Sequence, residues 1–253
     1  MYKTVRYSQR DPDEVLAGFA KAAKKYPSTR RIFLADGDVM FLDFEYLKSM
    51  LQDLNQLFPR LTRVNVYANG SSILKKTSDQ LLELRQLKLH TLYLGLESGD
   101  EEVLKQVNKG ETAADMVEAV RISQNAGLRC SVMVLLGLAG QDGTDKHAEK
   151  TSEILNQMQP RLLSALRFIE VTDGLMFDGY KPLTESQAVC ELRKIIAGLE
   201  LQSTVFRANH TSNPVPLEGR FPKDQASLVQ LLDYQINSGT LDKTGPGRVP
   251  MWL

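Results

Sequence analysis

The sequence predicts an α/β fold built on a parallel sheet. Apolar, strand-like runs fall near residues 32, 64, 92, 130 and 164, and segments with helical periodicity fill the intervals. That spacing of roughly 30 residues is the length of one strand-helix-strand unit, so successive strands run the same way. The runs are near-continuous rather than alternating, RCSVMVLLG above all, as expected of strands covered on both faces. Patterning alone leaves an open doubly wound sheet and a barrel equally available, and in both the ligands sit at the carboxyl ends of the strands.

The elements follow in order. DPDEVLAGFAKAAKKY opens a helix that Asp11 caps, with Pro12 in its first turn. The strand RIFLAD occupies 31–36. In DFEYLKSMLQDLNQLF, Phe44, Leu47, Leu51, Leu54 and Phe58 share one helical stripe, and Asp43 is the cap. VNVYAN, 64–69, is the second strand. A third helix starts at Thr77 with Gln80 completing a capping box, and Leu81, Leu84 and Leu87 face inward. TLYLGLESGD, 91–100, is the third strand and its exit. The short helix DEEVLKQV precedes a helix opened by Thr112 and Asp115 and stopped by Gly127. RCSVMVLLG, 129–137, is the most apolar strand. A helix at about 145–158, a strand at 163–171 and a helix at 184–200 continue the pattern, and QASLVQLLDYQI predicts a last helix. Residues 1–200 form the core in this reading, and 201–253 a C-terminal extension that closes or flanks it.

Composition sets the bounds. The chain of 253 residues is 42% hydrophobic and 25% charged, with 31 basic against 31 acidic residues. Net charge carries no nucleic-acid signal, and no run approaches the roughly 18 apolar residues of a membrane span. The N-terminus lacks a signal-peptide core, so the expected location is cytoplasmic. Cys130 and Cys190 are too far apart in sequence to read as a metal site, and both are expected to be small core residues. His90, His147 and His210 have no metal-ligand spacing.

What collects past the strands is polar and small: Asp36, Gly37 and Asp38; Asn69, Gly70 and Ser71; Glu97, Ser98 and Gly99; Gly137, Gly140, Gln141 and Gly143; Glu170, Thr172 and Asp173. Loops in any α/β protein turn the chain with such residues. Five in register, each pairing a small residue with a hydrogen-bonding group, form a rim suited to hydroxyl and amine groups. GLAGQDG lacks the Lys-Ser/Thr of a phosphate loop. One reading of the residues alone is an acid-base enzyme using Asp38, Glu97 and Glu170. In the extension, Arg207, His210 and Asn213 are candidates for substrate contact or for sealing the core.

The order LADGD, YANGSS, LYLGLESGDEEVLKQVNKGET, AGLRCSVMVLLGLAGQ and LRFIEVTDGL resembles the core of radical S-adenosylmethionine (radical SAM) enzymes, nearest the branch with coproporphyrinogen oxidase-like and Elongator-type members. The resemblance covers roughly residues 1 to 200. It implies a partial (β/α) TIM-like barrel that holds S-adenosylmethionine, its small-molecule partner, across the strand ends. By position, Asp36, Gly37 and Asp38 match the contact to the methionine amino group, Asn69 the methionine carboxylate, and Glu97 and Ser98 the ribose hydroxyls. Gly137 and Gly140 match the adenine loop, and Glu170 and Val171 border the same base.

The resemblance also implies a [4Fe-4S] cluster on a C-x-x-x-C-x-x-C loop, which in the family follows a first strand and precedes the first helix. No such trio of cysteines occurs here. The expectation is therefore a chain missing that strand and loop, through a mis-assigned start, a truncation or gene decay, and unable to do radical chemistry alone. RIFLAD would then be an unpaired edge inviting an edge-strand dimer. The alternative is a cluster-free barrel that binds a nucleoside-like ligand or a partner protein.

Overall fold

The structure, a computed structural model, describes residues 8–170 and 176–243. One sheet organises them. Its strands are β1 (Arg31–Leu34), β2 (Arg63–Tyr67), β3 (Leu89–Glu97), β4 (Arg129–Leu136), β5 (Leu162–Arg167), β6 (Thr204–Ala208) and β7 (Leu217–Phe221), and they lie side by side in chain order. β1 to β6 are parallel, β7 returns antiparallel along β6, and the sheet does not close on itself. This is the α/β parallel sheet that the alternation predicts, with the partial-barrel form that the resemblance implies.

The helices are α1 (Pro12–Lys25), α2 (Phe44–Leu57), α3 (Gly70–Leu74), α4 (Ser78–Gln86), α5 (Glu101–Gln106), α6 (Ala113–Asn125), α7 (Gly140–Met158), α8 (Glu185–Gly198) and α9 (Gln225–Asn237). Apart from α3, α7 and α9, they begin where the sequence supplies side-chain acceptors for orphan N–H groups. Asp11 accepts from the N–H groups of Asp13 and Glu14, and Asp43 from that of Glu45. Thr77 with Gln80, Thr112 with Asp115 and Thr184 with Gln187 close reciprocal capping boxes. Each such cap contributes about 1 kcal/mol.

One face of the sheet is covered. Val64, Val66, Leu92, Leu94, Leu96, Val132 and Val134 are fully buried against Leu47, Leu51, Leu54, Leu81, Leu84 and Leu155 of the helices. The intervening residues point the other way, because successive strand side chains alternate. On that open face Phe33, Tyr67 and Tyr93 pack edge to face, with ring centroids 4.8 to 6.3 Å apart, and Phe33 and Tyr67 remain 40% and 43% exposed.

Three elements escape the sequence pattern. α3 is a single turn after β2, and β6 and β7 form a hairpin from short strands with alternating burial. Asn213 ties that hairpin down, its Nδ2 donating to the carbonyls of Ala165 and Ala208 at 2.8 and 2.9 Å. β6 pairs with β5, so the sheet runs without a break across residue 201.

Candidate functional site at the carboxyl ends of the strands

Glu97 is the last residue of β3, and three local facts place its carboxylate. The β3–β4 register slips between Gly95 and Glu97. Glu97 sits in the left-handed backbone region, φ 63°, which costs a non-glycine residue of order 1 kcal/mol. Its carboxylate folds back over Gly95, where an added Cβ would stand 1.9 Å from Oε1. Gly95 belongs to the open-face set with Thr91 and Tyr93, so the strained turn delivers a carboxylate onto that face. Lys109 reaches the same Oε1 at 3.5 Å. Burial nonetheless raises the Glu97 pKa above the ordinary carboxylate range, against the pull of Lys109.

Asp38 follows β1 and is also held by its neighbours. Oδ2 accepts from the Ser72 hydroxyl at 2.5 Å, while Oδ1 is buried with no hydrogen-bond partner among the described residues. Burial raises its pKa, the Ser72 hydroxyl is the largest influence opposing this, and the charge of Glu111 adds to the rise. Glu111 accepts from the Ser71 N–H at 2.7 Å and leaves Oε2 buried and unpartnered among the described residues. The loop carrying Lys109 and Glu111 thus joins the Glu97 corner to the Asp38 corner. An open depression of about 520 Å³ behind it, bordered by Glu101, Asn108, Glu111 and Asp115, includes neither Asp38 nor Glu97.

The third corner is Gly137, φ 82°, whose N–H donates to Glu191 Oε1 at 2.7 Å. Tyr180 donates its hydroxyl to the Gly137 carbonyl at 3.1 Å and packs beside Gly140, φ 69°. Behind these loops lies a polar network whose acid and imidazole are both fully buried. Glu191 also accepts from Thr144, and its Oε1 lies 3.6 Å from Nε2 of His147. His147 Nδ1 meets Ser98 Oγ at 2.8 Å, and Ser98 Oγ accepts from the Asp100 N–H at 3.0 Å. Burial pushes Glu191 up to about 7 and His147 down to about 4.

The rim residues therefore occupy different stations. Asp38 and Glu97 are joined through the Lys109–Glu111 loop, and Gly137 and Gly140 through Tyr180. Ser98 turns inward to His147 and is fully buried, so its side chain serves the turn. Asp36, φ 72°, is exposed and pairs with Arg10 at 3.3 Å, beside Gly37, φ 108°. Asn69 caps α3 by position, its side chain exposed and making no capping bond. Glu170 lies just past β5, near enough to Tyr180 for its charge to help hold that hydroxyl's pKa up. Val171 lies outside the described residues.

In the extension, Arg207 is exposed on the open face of β6, and His210 is half-buried with Nδ1 2.7 Å from Ser212 Oγ. Asn213 is occupied by backbone carbonyls. Sequence reasoning passed over Lys109, Glu111 and Glu191, and weighed His147 only as a metal ligand. Glu191 was findable: it interrupts the apolar stripe Ala188, Leu192, Ile195 of α8.

Fold and rim together define an α/β protein of the open-barrel type with a polar rim at the strand carboxyl termini. The chain belongs to the radical SAM superfamily, whose sequence model matches residues 2–151. It is similar in structure to coproporphyrinogen III oxidase (HemN) from Escherichia coli, with TM-score 0.60 and 15% identity, over 74% of this chain and 45% of that one. It is similar to the archaeal Elp3 of Methanocaldococcus infernus, with TM-score 0.54 and 14% identity, over 90% of this chain and 59% of that one. A structure of anSMEcpe with bound AdoMet and a peptide aligns with TM-score 0.59 and 10% identity, over 78% of this chain and 54% of that one. The chain spans less than two thirds of each of these proteins. No curated protein matches the sequence. Among the described residues no helix is long and apolar enough to cross a membrane.

The family implies a [4Fe-4S] cluster, and the two cysteines of this sequence do not fit one. Cys130 is fully buried in β4, where desolvation pushes its thiol up to about 12, far from the thiolate that iron requires. Cys190 lies half-buried on α8, and two cysteines fall short of the three thiolates such a cluster takes.

Proposed function

We propose that the rim binds S-adenosylmethionine. In this reading Glu97 accepts both ribose hydroxyls, Asp38 Oδ1 accepts from the methionine ammonium, Asn69 approaches the methionine carboxylate, and the Gly137–Gly140 turn packs the adenine with Glu170 and Val171 at its border. The observation that carries it is the strained Glu97 turn, which holds a desolvated carboxylate over Gly95 at backbone cost. The orphaned Asp38 Oδ1 supports it, since a buried acceptor without a partner is uncompensated until a donor arrives. The AdoMet bound to the structural neighbour anSMEcpe supports the ligand class. No radical step is assigned to these residues, because the cysteines present do not fit a cluster. A nucleoside-like ligand without chemistry is the second reading, favoured by the same desolvated carboxylates. The free edge of β1, which among the described residues pairs only with β2, is the surface on which an edge-strand dimer would form.

Isothermal titration of the chain with S-adenosylmethionine tests the reading. Glu97→Gln removes charge-assisted bonds to two hydroxyls and is expected to weaken binding by about tenfold or more. Gly95→Ala keeps Glu97 but drives its carboxylate off the open face, and an equal loss is expected. No heat and no thermal shift with about 1 mM ligand would end the assignment. Adenosine binding as tightly as the full cofactor would favour the nucleoside reading.

The pH dependence has a defined sign. Ionised Asp38 and Glu97 are the binding forms, and both pKa values are raised. Affinity should therefore fall as pH drops through values above the ordinary carboxylate range, and Glu97→Gln should flatten part of that fall.

A further inference from the structure

The amino-terminal end of the same open face carries the opposite charge. β1, β2 and β4 each begin on an arginine, Arg31, Arg63 and Arg129. Arg31 and Arg63 are direct register partners, about 4.8 Å apart between parallel strands. Arg129 pairs with Thr91, which pairs with Asn65, two residues beyond Arg63 on the same face. Alternation places Arg31 with Phe33, Arg63 with Asn65 and Tyr67, and Arg129 with Met133, so all three point to the open side. His90, at the β2–β3 register slip, has its pKa lowered by burial and then by the charges of Arg129, Arg63 and Arg85.

Basic residues at this end of an α/β sheet have an ordinary explanation in part. Helices end here, and cations such as Lys24 and Lys25 complement the negative end of the α1 dipole. The strand arginines are not explained that way. Like charges directly opposite on adjacent strands repel. Among the described residues none of Arg31, Arg63 and Arg129 has an ion-pair partner, and Nε of Arg63 is buried with no acceptor. In a chain of 31 basic and 31 acidic residues this is a local concentration, not an overall excess.

We propose that Arg31, Arg63 and Arg129 form a phosphate-binding site at the amino-terminal end of the open face, separate from the carboxylate rim. Guanidinium forks match phosphate oxygens two at a time, and a dianion offsets the mutual repulsion of the three better than a carboxylate does. The phosphate is either free, as a monoester or pyrophosphate, or part of a polynucleotide backbone.

The test is titration of the chain with sodium pyrophosphate, against sodium chloride at equal ionic strength, followed by calorimetry and thermal melting. Saturable binding with a dissociation constant near or below about 1 mM is expected. It should weaken by about tenfold or more in Arg63→Gln and Arg129→Gln, and be untouched by Glu97→Gln. Without anion, Arg31→Gln should melt at the same temperature as the parent or higher, because a repulsion is removed. A mixed-sequence single-stranded RNA that displaces pyrophosphate identifies a backbone source, and failure to displace it identifies a free phosphate. An effect that chloride reproduces, or binding that survives both substitutions, overturns the proposal. So does early melting of all three variants with no anion response, which would make the arginines structural.

Discussion

Gly99→Ala is expected to lower the melting temperature by roughly 6 to 12 °C, about 3 kcal/mol, through a clash that no side-chain rotation relieves. An added Cβ would stand 2.3 Å from the carbonyl oxygen of Lys150 and 2.6 Å from Cα of Thr151. Both belong to the backbone of α7, so the helix itself must move. The Gly99 N–H donates to Thr151 Oγ1 at 3.0 Å, and the shift would stretch that bond as well. Gly18→Ala is the control. Gly18 is exposed in the middle of α1 with nothing within 4 Å of its added Cβ, and alanine there should stabilise by about 0.5 to 1 kcal/mol. Equal melting temperatures for Gly99→Ala and the parent would mean that β3 and α7 are not in this contact.

Glu191→Ala is expected to cost about 3 to 5 kcal/mol, because it leaves the Gly137 N–H and the Thr144 hydroxyl without their acceptor and opens a void where a fully buried side chain stood. Glu191→Gln keeps one acceptor and should lose less. Urea midpoints at several pH values then separate the two titrating groups. The folded-state pKa of Glu191 is about 7 against 4.5 unfolded, so its contribution is present below pH 4.5 and lost as pH rises to 7. His147 is depressed to about 4 from 6.5, so its contribution is present above pH 6.5 and lost as pH falls to 4. Between pH 4.5 and 6.5 the slopes oppose and the parent should be nearly flat. Glu191→Gln should expose the histidine slope, with stability rising with pH, and His147→Gln the reverse, each by at most about 1.4 kcal/mol per pH unit. Flat profiles in both variants would show that the pair does not titrate this way.

These two variants act on the link between the β3 and β4 exits, not on the rim surface. Ser98, His147, Glu191 and Gly137 form one chain of contacts running behind it. Loss of cofactor binding in Glu191→Ala with Glu97 intact would therefore report on loop position, and Glu97→Gln provides the comparison.

The rim was legible where a local signal exists. A carboxylate closing an apolar run, as in LYLGLE, or a Gly-Asp pair after RIFLA, marks a strand exit whatever the fold, and parallel strands bring such exits to one end. Ser98 was the instructive difference. Its place next to Glu97 suggests a ligand contact, but the left-handed turn at Glu97 rotates the next side chain into the protein, where His147 meets it. Asn213 likewise has the chemistry of a ligand contact and is occupied by the carbonyls of β5 and β6. The β6–β7 hairpin was missed because two five-residue strands, TVFRA and LEGRF, carry too little periodicity to register as a pair.

The sequence by itself determined the alternation of strands and helices, their caps and the polar character of the strand exits, because each depends on residues within a few positions of one another. Tertiary structure alone decided which of those exits share a corner, that Gly95 and Gly99 make room for a carboxylate and a helix, that His147 and Glu191 are buried side by side across 44 positions of chain, and that three strand-initial arginines share one face of the sheet. Those juxtapositions arise from register and packing between distant segments, which leave no period in the chain to read.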